Sequence, residues 1–227
     1  RQERQLMIGV LKAAERDGII LDNPATQLPN KKMPRIVIQV PTHDQFRSLI
    51  KQMRQADSRG IHGAYLVELL AYSGMRLNEA INLTWRDIDF DRGCFTVTGG
   101  EYGTKNHEIR TVPLFPAMRE LLERIRSGRS EINSDYVTPI KGARTLMASA
   151  AKKAGIPKFT HHSMRHYFCS NAIEAGIDFK VIAVWLGHKD GGILVAKTYG
   201  HLRDTHSFEM AKRMTSSAQD QKASNVL

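Results

Sequence analysis

Four short segments of the sequence carry side chains that could act together on a phosphodiester. They are SGMRLNEA at residues 73–80, GTKN at 103–106, HHSMRHYF at 161–168 and LGHKDGGILVAKTYGHL at 186–202. Their candidate site residues are Arg76, Lys105, His162, Arg165, His188 and Tyr199. Attack on a phosphodiester builds negative charge on the non-bridging oxygens, and preorganised cationic donors lower that barrier. The four segments therefore indicate chemistry on a phosphate ester.

The order and spacing of these residues resemble the tyrosine recombinase family, which includes the phage-type integrases. The pattern of that family is an arginine in a G-x-R-x-x-E box, a lysine on a β-turn, H-x-x-R on a helix, an L-G-H box and a tyrosine about a dozen residues later. The matching positions, in this order, are residues 74–79, Lys105, residues 162–165, residues 186–188 and Tyr199. The resemblance extends over residues 40–215. It implies a site-specific DNA recombinase.

The resemblance also implies a role for each side chain that makes or breaks a bond. Tyr199 is expected to be the nucleophile and to form a 3′-phosphotyrosine linkage. A free phenol has a pKa of about 10 and therefore needs a base, and His162 is predicted to accept its proton. Lys105 lies on a turn between two predicted strands and is expected to protonate the leaving 5′-oxygen. Neither ATP nor a metal is then required.

The other cations are expected to hold the phosphate. A guanidinium is always charged and grips two oxygens in a planar fork, so Arg76 and Arg165 are predicted to bind the non-bridging oxygens. His162 and Arg165 are three residues apart on a predicted helix, which places both side chains on the same side. His188 is predicted to be a further donor to the phosphate.

Histidines cluster in the last third of the sequence, which raises the question of a metal site. The cluster consists of His161, His162, His166, His188, His201 and His206. No pair has the H-E-x-x-H setting, and no set of cysteines or carboxylates completes tetrahedral ligation. The sequence therefore predicts no metal and no other cofactor. His161 and His166 are expected to support their neighbours or to lie at the surface.

The composition favours a polyanionic partner. Lys and Arg number 33 and Asp and Glu number 23, which gives a formal net charge of +10 at pH 7. Because cations that neutralise phosphates release condensed counterions, nucleic acid is the first candidate and an anionic membrane surface the second. Cys94 and Cys169 lie far apart, which indicates no disulfide framework. Without a signal-peptide pattern or a long apolar stretch, a cytoplasmic protein with no membrane partner is expected.

The elements that must position the site residues are predicted to be mainly helical. A capping-box pattern at Thr42 to Gln45 predicts a helix over residues 42–57, and a second is predicted over 61–72. Three strands are predicted, at residues 85–90, 94–98 and 109–112, and further helices from residue 116 onward. The predicted fold is α+β, mainly α with a small three-stranded antiparallel sheet. The resemblance implies the same tyrosine recombinase catalytic-domain fold.

The chain is expected to divide into four parts. They are the last helix of a truncated core-binding domain at residues 1–20, a linker at 21–41, the catalytic domain at 42–215 and a flexible tail at 216–227. The linker is proline-rich and carries Lys31, Lys32 and Arg35, which suits an extended segment along a phosphate backbone. A solvated connector fits the same composition.

The resemblance implies double-stranded DNA as the partner, in the form of attachment or recombination sites. It also implies a homo-tetramer on paired sites, accessory DNA-bending proteins, and a nucleoid-associated protein encoded by a prokaryote or a phage. Two alternatives stay open. One is a type IB topoisomerase-like strand transferase that relaxes supercoils as a monomer, and the other is a DNA-binding regulator without catalysis. The L-G-H box favours the recombinase over the topoisomerase, and the intact set of six residues argues against the regulator.

Overall fold

The computed structural model describes residues 2–29, 39–56, 60–98, 109–128, 135–188, 190–193 and 195–196. The chain divides into two compact units, Arg1–Ile38 and Gln39–Leu227. The first unit contains helix α1 (Gln2–Arg16) and a 3₁₀ helix (Pro24–Gln27). Asn23 caps the 3₁₀ helix, and its Nδ2 donates to the carbonyl of Ile8 at 3.0 Å. The segment predicted as a linker therefore begins with a turn that is folded onto α1.

The second unit is mainly helical and contains one small sheet. Its helices are α2 (His43–Arg54), α3 (Gly60–Ser73), α4 (Leu77–Ile81), α5 (Pro116–Ser127), α6 (Arg144–Ala154), α7 (His161–Glu174) and α8 (Phe179–Leu186), and its strands are β1 (Ile88–Asp89), β2 (Cys94–Val97) and β3 (Arg110–Pro113). The strands are antiparallel in the order β1-β2-β3. Phe95 of β2 pairs with Ile88 on one side and with Val112 on the other. The predicted fold class is confirmed.

Two helices form the centre of this unit. α3 packs against α2, α5 and α7. Its sequence is apolar on nearly every side, as expected for a helix surrounded by protein. Most of α7 is buried as well, including the continuous stretch from Ser163 to Ser170. The polar residues of this stretch therefore face other protein groups, whereas His162, one residue earlier, is exposed. Among the described residues, no helix is long and apolar enough to cross a membrane.

The first predicted strand is shorter than expected. Residues Trp85–Asp87 form a 3₁₀ helix, and only Ile88–Asp89 pair as a strand. The cause is local, because Asp87 Oδ2 accepts from the backbone N–H of Thr84 at 2.8 Å and from its hydroxyl at 2.7 Å. These hydrogen bonds close a turn where the apolar pattern alone suggested extended chain.

A separate apolar cluster fixes α8 on α7. It contains Phe168, Cys169, Ala172 and Ile173 of α7 together with Ile182, Ala183 and Leu186 of α8. Gly187 directly follows α8, and its φ of +67° is the left-handed conformation common after a helix. α8 is thereby packed against the second half of α7, and the L-G-H segment begins at its last residue.

Candidate active site

Arg165 lies in the second turn of α7 and is buried, with 5% of its surface exposed. Its Nη1 donates to the carbonyl of Gly74 at 2.7 Å, and its Nη2 donates to the carbonyl of Leu186 at 2.7 Å. A buried charge is tolerated only when it is well hydrogen-bonded. The two carbonyls follow α3 and end α8, so Arg165 holds both helix ends beside α7.

Among the predicted site residues, the charge of Arg76 acts on Arg165, and the charges of both arginines act on His162 and His188. Burial, followed by the charge of Arg76, lowers the pKa of Arg165 to about 9, which leaves it cationic at neutral pH. Burial and then Arg165 and Arg76 lower the pKa of His162. The pKa of His188 is lowered by burial first and then by Arg165, and Arg76 adds to the decrease. The two arginines and two histidines therefore share one cationic environment.

Gly74 allows the close approach on which Arg165 depends. Its φ is +67°, a conformation that side chains disfavour. A Cβ at this position would lie 2.5 Å from Cδ1 of Phe168 and 2.8 Å from Cδ2 of Leu186. Glycine thus brings the chain against α7 and α8 and presents its carbonyl to Arg165.

The G-x-R-x-x-E box folds into the start of α4. Arg76 precedes the helix, and its backbone N–H donates to Oε2 of Glu79 at 2.9 Å. Its Nη1 donates to Oε1 of the same carboxylate at 3.1 Å. The Glu79 side chain is 2% exposed, whereas the Arg76 side chain is 26% exposed. Arg76 is therefore fixed at its base while part of its guanidinium remains open to solvent.

Arg110, the first residue of β3, was not predicted as a site residue. Its Nη1 and Nη2 donate to the two oxygens of Glu79 at 3.2 and 2.7 Å, and its Nε donates to the carbonyl of Trp185 at 2.9 Å. Its partners lie 31 and 75 residues away in the sequence. No local spacing connects such residues, so sequence patterns gave no signal for this contact.

Glu79 is an ionised carboxylate shared by two arginines. Burial alone would raise its pKa, but the hydrogen bonds and charge of Arg110, and then those of Arg76, outweigh that effect and lower it. A buried carboxylate that accepts several charge-assisted hydrogen bonds is stable in its charged form. Glu79 therefore links β3 to the start of α4 at neutral pH.

His188 contacts the buried arginine directly. Its Nε2 lies 3.0 Å from Nη2 of Arg165. Because a guanidinium only donates, Nε2 is the acceptor, and the proton of the neutral ring is on Nδ1. Within the part of the chain that the structure describes, this Nδ1 is buried and has no hydrogen-bond partner. Arg165 thus sets the tautomer of His188.

His162 lies in the first turn of α7 and is exposed to solvent. Its lowered pKa makes the imidazole neutral at pH 7, the form that accepts a proton. The neighbouring ring of His166 lies in an edge contact, with centroids 4.5 Å apart. His162 therefore has the exposure and the protonation state that a base requires.

The two adjacent histidines support the helix. Nε2 of His161 accepts the backbone N–H of Ala143 at 3.0 Å, which ties the segment before α6 to α7. His166 is buried, and burial, followed by the charges of His162 and Arg165, lowers its pKa to about 4. Both side chains pack within the protein, and neither shares the exposed position of His162.

Lys105 and Tyr199 lie outside the described residues. The structure therefore brings together Arg76, His162, Arg165 and His188, and the positions predicted for the nucleophile and the acid stay predictions. The four side chains come from the start of α4, from α7 and from the segment after α8. An anion that approaches from solvent would meet Arg76 and His162 first, with Arg165 behind them. Such an arrangement suits a phosphate group.

Comparisons with known proteins identify the family of the chain. Residues 39–206 match the phage integrase family. The chain is 30% identical to the tyrosine recombinase XerD of Neisseria meningitidis over 189 residues, which cover 78% of this chain and 63% of that protein. It is 28% identical to XerA of Pyrococcus furiosus, covering 85% of this chain and 68% of that protein. The chain thus spans somewhat less than two thirds of the length of its XerD relative.

Solved structures share the fold. An integrase of the Tn1549 transposon in complex with transposon right end DNA matches with a TM-score of 0.69 at 19% identity, covering 94% of this chain and 78% of that one. A lambda integrase dimer bound to a COC′ core site matches with a TM-score of 0.67 at 19% identity, covering 83% and 71%. Together with the match over residues 39–206, these findings establish that the chain belongs to the phage integrase family.

Proposed function

We propose that this chain is the catalytic part of a site-specific DNA recombinase that cleaves and rejoins DNA strands through a 3′-phosphotyrosine intermediate. The observation that carries the proposal is the convergence of Arg76, His162, Arg165 and His188 from three separate segments in a member of the phage integrase family. Each matches the residue type and the sequence position that the family pattern gives for strand transfer.

In the cleavage step, the phenolic oxygen of Tyr199 attacks the scissile phosphorus. A bond forms between that oxygen and phosphorus, and the bond from phosphorus to the 5′-oxygen breaks. The phenolic proton passes to His162, and Lys105 supplies a proton to the leaving 5′-oxygen. Without that proton, the 5′-oxygen would leave as a strongly basic alkoxide.

The phosphate is held by groups that do not exchange protons. Arg76 and Arg165 bind the non-bridging oxygens, where negative charge accumulates in the transition state. His188 donates to the same phosphate through Nδ1, the nitrogen that carries the proton because Nε2 accepts from Arg165. The reverse sequence rejoins the strands when a 5′-hydroxyl attacks phosphotyrosine. The energy of the broken phosphodiester bond is conserved in the phosphotyrosine bond, so no ATP is consumed. The cationic side chains bind the phosphate charge, so no metal is required for that task.

Double-stranded DNA is the proposed partner, in integration or excision of a mobile element or prophage. The net charge of +10 supports a polyanion, and the Tn1549 and lambda integrases with the same fold are described in complex with DNA. Assembly is proposed to be a homo-tetramer on two sites, with accessory DNA-bending proteins where the sites must be folded.

A covalent-trapping experiment tests the nucleophile. A pool of nicked duplexes of random sequence is incubated with the chain, the adducts that survive detergent are purified, and the attached DNA is sequenced. The nick lets the cleaved fragment diffuse away, so the adduct accumulates. We expect an enriched sequence with the wild-type chain and no adduct with Tyr199→Phe.

Tyr65→Phe is the matched control, because it also removes one phenolic hydroxyl group, but from a tyrosine of α3. It should form the adduct as the wild type does. An adduct of Tyr199→Phe, or none with the wild-type chain, contradicts the proposal. Covalent capture of DNA also separates this function from that of a catalytically silent regulator.

The role of Lys105 is tested with a sulfur-substituted substrate. When the 5′-bridging oxygen is replaced by sulfur, the leaving thiolate needs no proton. Lys105→Ala should be slow on the ordinary duplex selected above and should regain the wild-type cleavage rate on the sulfur duplex. Failure of sulfur to restore cleavage would exclude Lys105 as the general acid.

A supercoiled plasmid that lacks the selected sequence distinguishes the topoisomerase alternative. A recombinase should leave this plasmid supercoiled and should act only when two copies of the selected sequence are present. Relaxation of the plasmid without the sequence would favour a type IB topoisomerase-like activity.

A further inference from the structure

We propose that Arg110 is a positioning residue for the catalytic cations: it fixes Arg76 through Glu79 and fixes the end of α8, which precedes His188. The inference rests on the proposed function, since it concerns the same phosphate site. Arg110 belongs to β3, outside the four segments that carry the family pattern.

The first part of the proposal depends on the shared carboxylate. Arg110 uses the planar fork of its two terminal nitrogens on both oxygens of Glu79, at 3.2 and 2.7 Å. The same two oxygens accept from Nη1 and the backbone N–H of Arg76, at 3.1 and 2.9 Å. Glu79 is buried and cannot turn toward water, so the orientation that Arg110 imposes on it is passed on to Arg76.

The second part depends on the end of α8. Nε of Arg110 and Nη2 of Arg165 donate to the consecutive carbonyls of Trp185 and Leu186, at 2.9 and 2.7 Å. Cations are favoured at this end of a helix, where carbonyls lack partners within the helix. His188 follows two residues later. Arg110 and Arg165 together therefore hold the backbone from which His188 extends.

Gly187 shows how closely the guanidinium fits. A Cβ at this position would lie 3.0 Å from Nη1 and 3.3 Å from Cζ of Arg110. The glycine of the L-G-H box thus provides the space for the Arg110 side chain. This contact gives that glycine a role beyond ending the helix.

Arg110 acts through its neighbours and does not contact the phosphate. Each of its three nitrogens already donates to a protein acceptor. The proposal therefore predicts a change in the rate of the chemical step and little change in the affinity for DNA.

Two substitutions test the positioning role, with the duplex selected by covalent trapping as the substrate. For Arg110→Ala, the rate constant of adduct formation at saturating DNA should fall about 10- to 100-fold, since displacement of catalytic groups by an ångström has effects of this size. The dissociation constant for the duplex should change less than about threefold. Arg110→Lys keeps the charge but loses the fork, so its rate should also fall about tenfold or more.

Arg54→Ala is the matched control. Arg54 also donates to both oxygens of a buried glutamate, Glu68, at 2.9 and 2.7 Å, and that glutamate has Arg124 as a second partner at 3.5 Å. The two changes should cost similar free energies of unfolding in urea. Arg54→Ala should nevertheless keep the wild-type rate constant at saturating DNA. A wild-type rate for Arg110→Lys, or for Arg110→Ala, would overturn the proposal.

A second measurement does not depend on cleavage. Orthovanadate, a tetrahedral oxyanion that mimics phosphate, is titrated into the free chain while the imidazole signals are followed by NMR. Both Arg110 variants should bind vanadate at least about fivefold more weakly, and Arg54→Ala should bind it as the wild type does. If the wild type forms no adduct, the proposed function fails, and this titration alone decides the role of Arg110. Equal vanadate affinity of Arg110→Lys and wild type would overturn it.

Discussion

Arg165 stabilises the fold, and under the proposed function it also stabilises the charge that develops on the phosphate. Its guanidinium replaces lost hydration with the carbonyls of Gly74 and Leu186 and with His188. These acceptors hold it in place before any substrate binds. Preorganised donors of this kind need not be reoriented during the reaction, which is the source of their catalytic effect.

We therefore expect Arg165→Lys to reduce both activity and stability. A lysine ammonium cannot reach both carbonyls in the same plane, so one of them is left without a donor at a cost of about 1–3 kcal/mol. Adduct formation at saturating DNA should fall about 100- to 1000-fold. Urea unfolding and single-turnover cleavage measure the two effects. Arg119→Lys, which changes a guanidinium bonded to the Phe90 carbonyl at 2.7 Å, is the control and should keep its cleavage rate.

His166 makes the stability of the protein depend on pH. Its pKa is lowered from 6.5 to about 4 by burial and then by the charges of His162 and Arg165. Between these two values, the unfolded chain binds more protons than the folded one. Stability is therefore fully present above pH 6.5 and is lost as the pH falls toward 4.

We expect His166→Phe to weaken this dependence. The variant keeps a ring in the buried position but has no proton to bind. The loss in the free energy of unfolding between pH 7 and pH 5 should be smaller than in the wild type by about 1–2 kcal/mol. Some dependence should remain, because His161, His162 and His188 also have lowered pKa values. Urea titrations at the two pH values give the comparison, and an unchanged or larger loss in the variant contradicts the assignment.

At the scale of elements, the candidate site depends more on the junctions between helices than on the helices themselves. α3, α7 and α8 meet at Gly74, where the chain passes within contact distance of Phe168 and Leu186. Gly155 has a similar φ of +65°, but no described atom lies within 4 Å of a Cβ built there. The two glycines therefore separate the cost of backbone strain from the cost of overpacking.

Gly155→Ala should cost about 1–2 kcal/mol, the strain of a left-handed residue with a side chain. Gly74→Ala should cost about 3 kcal/mol or more, because the added methyl group also collides with a packed core. Urea unfolding at pH 7 measures both changes. Gly74→Ala should also slow adduct formation, since its carbonyl accepts from Arg165. Equal costs at the two positions would show that the contacts of Gly74 are not tight.

Local patterns in the sequence predicted the elements that have local causes. The capping box from Thr42 to Gln45 is confirmed, with both reciprocal hydrogen bonds formed at the start of α2. The G-x-R-x-x-E spacing has a local cause of the same kind, since Glu79 returns to the N–H of Arg76 at the start of α4. The first strand was predicted too long because the turn closed by Thr84 and Asp87 competes with extended chain.

The interactions that position the site could not be predicted in the same way. Arg110 meets Glu79 and Trp185 only after β3, α4 and α8 have packed together. The contact of Arg165 with the Gly74 carbonyl spans 91 residues. A backbone carbonyl as a partner leaves no trace in the sequence. Residue types and order therefore identified the candidate cations, whereas the contacts that orient them depend on the tertiary structure.

At the scale of the whole chain, the excess of positive charge is expected to determine how DNA binding responds to salt. The formal net charge is +10, and the segment between residues 21 and 41 contributes Lys31, Lys32 and Arg35. Each phosphate that a cation neutralises releases a condensed counterion, which makes the slope of log K against log salt more negative by about 0.9. If the basic segment follows the phosphate backbone, its cations contribute to that slope.

We therefore expect replacement of Lys31, Lys32 and Arg35 by glutamine to reduce the magnitude of the slope by about 2 to 3. Fluorescence anisotropy with a labelled duplex, at salt concentrations from about 50 to 300 mM, measures the slope. The control exchanges the cations, as Lys31→Arg, Lys32→Arg and Arg35→Lys, and should leave the slope unchanged because the charge is kept. An unchanged slope in the glutamine variant would mean that the segment is a solvated connector that does not contact the backbone. DNA affinity would then come from the unit Gln39–Leu227, which contains the candidate active site.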